Sequence, residues 1–144
     1  MKRTLLTFGH GYSATALAKR LLADGWHVIG TTRSPDKAAA LEALGVEPVI
    51  WPGTDMSDAI GRATHILQSV GPDASGDPVL AACGKQIAAR ASGLNWFGYL
   101  STTGVYGDHG GGWVDETTPL TPTTQRGKWR LEAEEAWRTL SAQS

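Results

Sequence analysis

Short apolar runs alternate with segments of helical periodicity along most of the chain. The runs are rich in β-branched and aromatic residues and are apolar on both faces, which is typical of parallel strands covered by helices on both sides. We predict strands over residues 4–8, 26–31, 46–51, 65–70 and 95–100. Pro48, in the third of these, indicates an edge strand or an irregularity, because proline donates no ladder hydrogen bond.

The segments between these strands repeat apolar residues at spacings of three and four, which predicts helices. The predicted helices cover residues 12–24, 35–44, 78–92 and 126–140, with a helical turn or two within 55–63. Ser34 and Pro35 are typical of an N-cap followed by a proline at the first helical position. In that helix we expect the three apolar positions to face inward, namely Ala38, Leu41 and Leu44.

Strand and helix alternate five times, so we expect parallel strands joined by right-handed crossovers. The predicted fold is α/β, a doubly wound parallel sheet of about five strands with helices on both faces, in a single domain over residues 1–144. Residues 101–125 carry little periodicity. A stretch of that length is typical of a functional or poorly ordered loop.

Composition excludes several classes of protein. The net charge is −1, from 13 basic and 14 acidic residues, so no strong field attracts nucleic acid or an anionic membrane. No apolar run approaches the roughly 20 residues of a membrane span. The single cysteine, Cys83, excludes an internal disulfide, and four scattered histidines lack metal-ligand spacing, so we expect no metal site. No secretory apolar core follows the basic N-terminus, so we expect a cytoplasmic protein.

A glycine-rich turn joins the first strand to the first helix. Its sequence, Gly-His-Gly-Tyr-Ser-Ala over residues 9–14, has the G-x-G-x-x-A spacing of the dinucleotide fingerprint in the required strand–turn–helix context. Gly9 permits the tight turn, Gly11 leaves room for a pyrophosphate, and Ala14 lets the helix pack closely. Tyr12 and Ser13 are secondary candidates, Ser13 as a phosphate ligand or as a helix cap. The turn predicts a Rossmann-like fold; the alternative is a turn that binds nothing.

The end of the second strand distinguishes the two nicotinamide dinucleotides. NAD sites place a carboxylate there, whereas this sequence has Thr32 and Arg33, with Lys37 one turn further on. A guanidinium pairs well with a 2′-phosphate, so the sequence favours NADP over NAD. The alternative is that Arg33 is an exposed loop residue. Three residues at the carboxyl end of the fourth strand are also expected to line the cofactor crevice, although an ordinary strand-ending turn explains them almost as well: Ser69, Val70 and Gly71.

Two later segments carry a family resemblance. Residues 99–108, Tyr-Leu-Ser-Thr-Thr-Gly-Val-Tyr-Gly-Asp, resemble the S-S-x-x-V-Y-G segment of extended short-chain dehydrogenases/reductases, the NAD-dependent epimerase/dehydratase family. Residues 114–122 resemble that family's acidic, proline-bearing loop, and the glycine turn and this loop are most similar to an atypical bacterial subgroup. The resemblance implies an NAD(P)-binding half and a small-molecule substrate, for example a sugar nucleotide. In the family, a residue at the position of Thr102 polarises the substrate oxygen.

The family's Tyr-x-x-x-Lys pair is not found. An ungapped alignment places Arg126 on the tyrosine and Arg130 on the lysine, and a shift of two residues places Thr124 and Lys128 there. Arg126 is a poor general acid or base because a guanidinium stays protonated. Arg130 remains a candidate for contacting the cofactor ribose or phosphate. The alternative is a solvated helix face in which Arg130 pairs with Glu134.

The resemblance also implies that family members continue well beyond residue 140 with a substrate domain. We therefore expect this chain to correspond to the N-terminal, cofactor-binding half, with an exposed sheet edge that favours a homodimer or insolubility. Three functions stay open: a reductase-like or epimerase-like enzyme, a non-catalytic dinucleotide sensor, and a fragment without activity of its own.

Overall fold

The computed structural model describes residues 2–143 and has five strands that alternate with helices. The strands are β1 (Thr4–Phe8), β2 (His27–Thr32), β3 (Glu47–Ile50), β4 (His65–Gln68) and β5 (Trp96–Tyr99). The helices are α1 (Tyr12–Ala23), α2 (Pro35–Ala43), α3 (Ser57–Arg62), α4 (Pro78–Ala89) and α5 (Gln125–Ala142). Two short 3₁₀ turns cover Ala91–Gly93 and Thr103–Val105.

The five strands form one parallel sheet in the order β3-β2-β1-β4-β5. This is the strand order of a doubly wound, Rossmann-like sheet, and it confirms the predicted fold class. The central strand, β1, pairs Leu6 with Ile29 on one side and with Ile66 on the other. Pro48 lies in the edge strand β3, as the sequence predicts.

Apolar side chains from both faces of the sheet form two separate clusters. On one face the sheet packs against α1 and α2, and on the other against α3, α4 and α5. Buried residues of the first cluster include Leu5, Ala14, Ala18, Val28, Leu41 and Leu67. Those of the second include Leu6, Phe8, Ile60, Ile66, Cys83 and Trp137. The strands are therefore covered on both faces, as their apolar sequences require.

The structure corrects the predicted elements at their ends. β4 stops at Gln68 instead of residue 70, because the backbone amide of Val70 donates to the Gln68 side chain at 2.7 Å instead of joining the ladder. Leu44 does not face inward: it is the C-cap of α2 and is 48% exposed, whereas Leu41 is buried. The remaining boundaries agree with the predicted ones or differ by up to three residues.

The long segment between β5 and α5 is closed at its base by hydrogen bonds. The Tyr106 carbonyl accepts from the Thr121 hydroxyl at 2.9 Å and from the Thr121 amide at 3.3 Å. Gly107 has φ +77°, and a Cβ there would collide with the Thr121 carbonyl. His109 Nε2 also donates to the Tyr106 carbonyl, at 2.8 Å. The segment is thus a closed loop instead of an open linker.

Candidate functional site

The glycine turn has the geometry that its sequence predicts. Gly9 has φ +78°, a left-handed conformation that favours glycine, and a Cβ there would lie 3.0 Å from Val70 Cγ2. Its amide donates to Thr31 Oγ1 at 2.8 Å, which anchors the turn to β2. The amide of Gly11 donates back to the Gly9 carbonyl at 2.8 Å. The turn therefore brings the ends of β1, β2 and β4 together.

The N-terminus of α1 has no side-chain cap. Its N-cap is Gly11, whereas α2, α4 and α5 are capped by the side chains of Ser34, Asp77 and Thr124. Ser13 is exposed and does not cap the helix. The first amides of α1 thus have no side-chain acceptor, and together with the helix dipole they form a favourable site for an anion. Ala14 is only 1% exposed and packs against the sheet beneath them.

A cleft of about 490 Å³ extends from this turn along the carboxyl ends of the strands. It contains most of the predicted cofactor residues, and its lining is Gly9, His10, Gly11, Thr31, Thr32, Arg33, Ser34, Lys37, Trp51, Val70 and Gly71. This lining includes two basic side chains and no carboxylate. Tyr12 is not part of this lining, and its side chain is 94% exposed. The Ser69 hydroxyl lies in the interior and has no hydrogen-bond partner among the described residues.

His10 is a part of the site that the sequence did not single out. Its ring lies over Gly30 of β2, where a Cβ would come within 2.8 Å of Nδ1. The same Nδ1 lies 2.7 Å from the Thr7 hydroxyl, and burial lowers the pKa of His10. Its Nε2 is buried without a partner in the described part of the chain. A glycine inside a predicted strand signals a close approach of this kind.

A buried polar network supports the wall of the cleft on the β4 side. The Gln68 amide nitrogen donates to both oxygens of Asp77 at 3.0 Å and to the Val70 carbonyl at 3.1 Å. Asp77 also accepts from the Trp137 indole at 2.8 Å and caps α4. Gln68 is fully buried, and its bonds to Asp77 and that of Trp137 to Asp77 form away from water. The network joins β4, α4 and α5, and it fixes the conformation of the Val70 segment.

Arg130 reaches the carboxyl ends of β4 and β5. Its Nη1 donates to the Leu100 carbonyl at 2.9 Å, and its guanidinium lies 5.8 Å from the Tyr99 ring centre. Its Nη2 would lie 3.2 Å from a Cβ on Gly71. Helical spacing suggested an ion pair between Arg130 and Glu134. The ion pairs within residues 2–143 do not include it, because the contact with the Leu100 carbonyl holds the guanidinium elsewhere.

The catalytic positions show no proton-transfer pair among the described residues. Thr102 is exposed, and its hydroxyl accepts from the Gly104 amide at 3.3 Å, which caps the 3₁₀ turn. Arg126, at the tyrosine position, is exposed. The nearby Tyr99 is unsuited to the role, because burial raises its pKa to about 12 and its hydroxyl is unpaired.

Neither a metal-ligand cluster nor a membrane-spanning helix is found in the described chain. Across residues 2–143, no three metal-binding side chains come together to form a ligand set. No helix of the same segment has the length and apolar character to span a membrane.

Comparison with known proteins identifies relatives about twice as long. No family model matches the chain. A conserved protein of unknown function from Silicibacter pomeroyi DSS has a solved structure that is 57% identical, with a TM-score of 0.91 over 96% of this chain and 49% of that one. Protein YeeZ of Escherichia coli (strain K12) is 31% identical over 95% of this chain and 53% of its own length. This chain therefore spans about half the length of these relatives.

More distant solved structures share the fold. UDP-glucose 4-epimerase from Thermotoga maritima has a TM-score of 0.70 at 16% identity, over 96% of this chain and 51% of that one. Yeast methylglyoxal/isovaleraldehyde reductase Gre2, solved with NADPH, has a TM-score of 0.69 at 19% identity, over 96% and 49%. These two neighbours are thus an epimerase and a reductase, and the predicted resemblance is confirmed for the fold.

Proposed function

We propose that this chain, which shares its fold with one half of known epimerases and reductases, binds NADP(H) as the cofactor-binding part of a protein acting on a small molecule. The observation that carries the proposal is the uncapped N-terminus of α1 behind the Gly9–Gly11 turn, opening into a cleft with basic side chains and no carboxylate. A pyrophosphate and a 2′-phosphate are the anions that such a cleft accommodates.

Each part of the cleft has a distinct role in this proposal. The first amides of α1 hold the pyrophosphate, and Gly11 leaves room for it. Arg33 and Lys37 hold the 2′-phosphate, while Val70 and Gly71 form the opposite wall. Bound NADP(H) supplies a hydride donor or acceptor. Arg130 lies where the strands end and is the candidate for contact with the cofactor at that end.

A titration with NADPH and, separately, NADH tests the proposal, with tryptophan fluorescence and the melting temperature as readouts. A charge-assisted hydrogen bond contributes about 1.5–3 kcal/mol, and because Arg33 is exposed we expect the lower value. Arg33→Ala should then weaken NADPH about tenfold and leave NADH almost unchanged. Arg20→Ala is the matched control, since it removes an exposed arginine from the far end of α1.

The two parts of the proposal fail separately. A folded chain that binds neither nucleotide refutes the dinucleotide site. Equal affinity for both nucleotides, or an equal effect of Arg33→Ala and Arg20→Ala, refutes the NADP preference but does not refute the dinucleotide site.

A second candidate function is a dinucleotide-binding module without catalysis. It is favoured by Arg126 at the tyrosine position and by the half-buried Tyr99, whose pKa is raised to about 12 by burial. Arg126→Tyr separates the two, because it places a phenol four residues before Arg130. If the chain is an impaired enzyme, we expect this variant to oxidise NADPH with a carbonyl substrate, and Arg126→Phe, which lacks the hydroxyl, to remain inactive. Equal inactivity of both variants favours the module.

A further inference from the structure

A patch of positive charge without counter-ions lies where the chain passes from β5 to α5. Arg126, Lys128 and Arg130 lie in the first two turns of α5, and none of them forms an ion pair within the described chain. The segments that meet here, residues 95–107 and 117–131, contain no aspartate or glutamate. The helix dipole disfavours cations at this end of a helix, so the three charges gain nothing from α5 itself. Departures of this kind from local rules are typical of functional sites.

Arg130 is the member of this patch that the fold holds in place. Its guanidinium is half-buried beside the Tyr99 ring, and its hydrogen bond within the described residues is to the neutral Leu100 carbonyl. Charges that are taken out of water are usually paired with an opposite charge. A guanidinium has several N–H donors that point in different directions. Most of those of Arg130 are therefore available to an anion, next to Gly71 of the cofactor cleft.

The start of α5 brings a second guanidinium and a hydroxyl to the same end of the sheet. Arg126 is one turn before Arg130 on the same face of the helix, a spacing that places Cβ atoms about 5–6 Å apart. The turn after Thr102 packs tightly against the helix, since a Cβ on Gly127 would lie 2.6 Å from the Gly104 carbonyl oxygen. The Thr102 hydroxyl accepts from the Gly104 amide at 3.3 Å, so its own hydrogen is available to an anion. We call Thr102, Arg126 and Arg130 the basic junction.

We propose that the basic junction binds an oxyanion, a carboxylate or a phosphate group, of the small molecule on which the protein acts. The two guanidiniums supply charge and forked donors, and the Thr102 hydroxyl supplies a further donor. The substrate is thus an anion that is held beside the cofactor cleft. Its identity as a substrate rests on the proposed function, whereas the binding of an oxyanion does not. Contact of Arg130 with the cofactor is compatible with this role, because its donors can serve both.

The test titrates the nucleotide-free chain with inorganic phosphate and, separately, with acetate, followed by nitrogen-15 NMR. We expect at least one of these anions to shift the Gly104 amide signal, and the anion that binds more tightly identifies the group. Arg126→Gln should raise that Kd about fivefold, as for the loss of one exposed charge-assisted contact. Lys128→Gln is the matched control, because it removes an exposed cation from the opposite side of the helix. It should change the Kd less than about twofold, since salt screens a charge that makes no contact.

Each failure has its own signature in these titrations. Phosphate shifts that are confined to the amides of residues 11–14, at the cofactor turn, with no effect of either anion on Gly104, overturn the proposal. Equal effects of Arg126→Gln and Lys128→Gln also overturn it, because the attraction is then unspecific.

NADPH titrations of the same variants separate this site from the cofactor site. We expect Arg126→Gln to leave the affinity for NADPH almost unchanged. If the variant weakens NADPH as much as it weakens the anion, the basic junction belongs to the cofactor site and the proposal is wrong. A chain that binds the anion at Gly104 but does not bind NADPH refutes the proposed function and supports the oxyanion site.

Discussion

Asp77 is the position where one substitution should destabilise the fold most clearly. Its carboxylate is 5% exposed and accepts hydrogen bonds from the Val79 and Leu80 amides, from Gln68 and from Trp137. Asp77→Ala removes the acceptor for all of these donors at once. Because the site is buried, water does not readily replace the carboxylate.

The magnitude follows from these bonds. Loss of a helix N-cap costs about 1 kcal/mol. Each of the two buried side-chain donors left unpaired costs about 1–3 kcal/mol, with Gln68 at the lower end because it keeps its 3.1 Å bond to the Val70 carbonyl. We expect a total loss of about 4 kcal/mol in the free energy of unfolding. For a chain of this size, this lowers the melting temperature by roughly 12 °C.

Urea unfolding followed by tryptophan fluorescence measures the effect. Asp77→Asn keeps one oxygen for the cap and should lose about 1–2 kcal/mol. The matched control is Ser34→Ala, which removes an exposed cap whose only bond is 3.4 Å long, and should cost under about 1 kcal/mol. If Asp77→Ala lowers the free energy of unfolding no more than Ser34→Ala does, and the slope of that free energy against urea concentration is unchanged, the network does not hold β4, α4 and α5 together.

Two further predictions concern the turn. Burial lowers the pKa of His10 and of His65, so the unfolded chain binds protons more readily, and stability should fall as the pH drops below about 6.5. His10→Gln should reduce this dependence in urea unfolding at pH 7.5 and pH 5.5; stability that is equal at both pH values contradicts the argument. Gly30→Ala forces a methyl group against the His10 ring and should cost about 1–3 kcal/mol in thermal unfolding. Gly61→Ala, in open space on α3, is its control, and an equal response of the two variants would show that the ring is not confined.

The sequence predicted those features that depend on neighbouring residues. The turn at Gly9 and Gly11, the capping by Ser34 and the edge position of Pro48 each follow from local backbone chemistry. Helix and strand periods were enough to predict the alternation and therefore the parallel sheet. Whether a side chain at the end of a helix is buried, as was wrongly predicted for Leu44, depends on whether a neighbouring strand or helix extends far enough to cover it.

Contacts between distant parts of the chain were not predictable in this way. Trp137 is 60 positions from the carboxylate of Asp77 that it contacts, and no spacing rule joins them. The only local signal was a glutamine, Gln68, at the end of an apolar strand. The alternative for Arg130, a pair one turn away with Glu134, is not realised, because its guanidinium donates to the Leu100 carbonyl. Helical spacing offers a partner, and tertiary structure decides whether it is used.

The closed base of the loop between Gly107 and Thr121 has a consequence for how such proteins diversify. Because the Tyr106 carbonyl and Thr121 fasten both ends, the residues between them can change in length and composition without transmitting a shift to the sheet. Doubling the length of a flexible loop costs only about 0.6 kcal/mol. The segment around the fully exposed Trp113 can therefore be replaced by other sequences, in evolution or by design, and the new residues change the surface of the protein without changing the sheet.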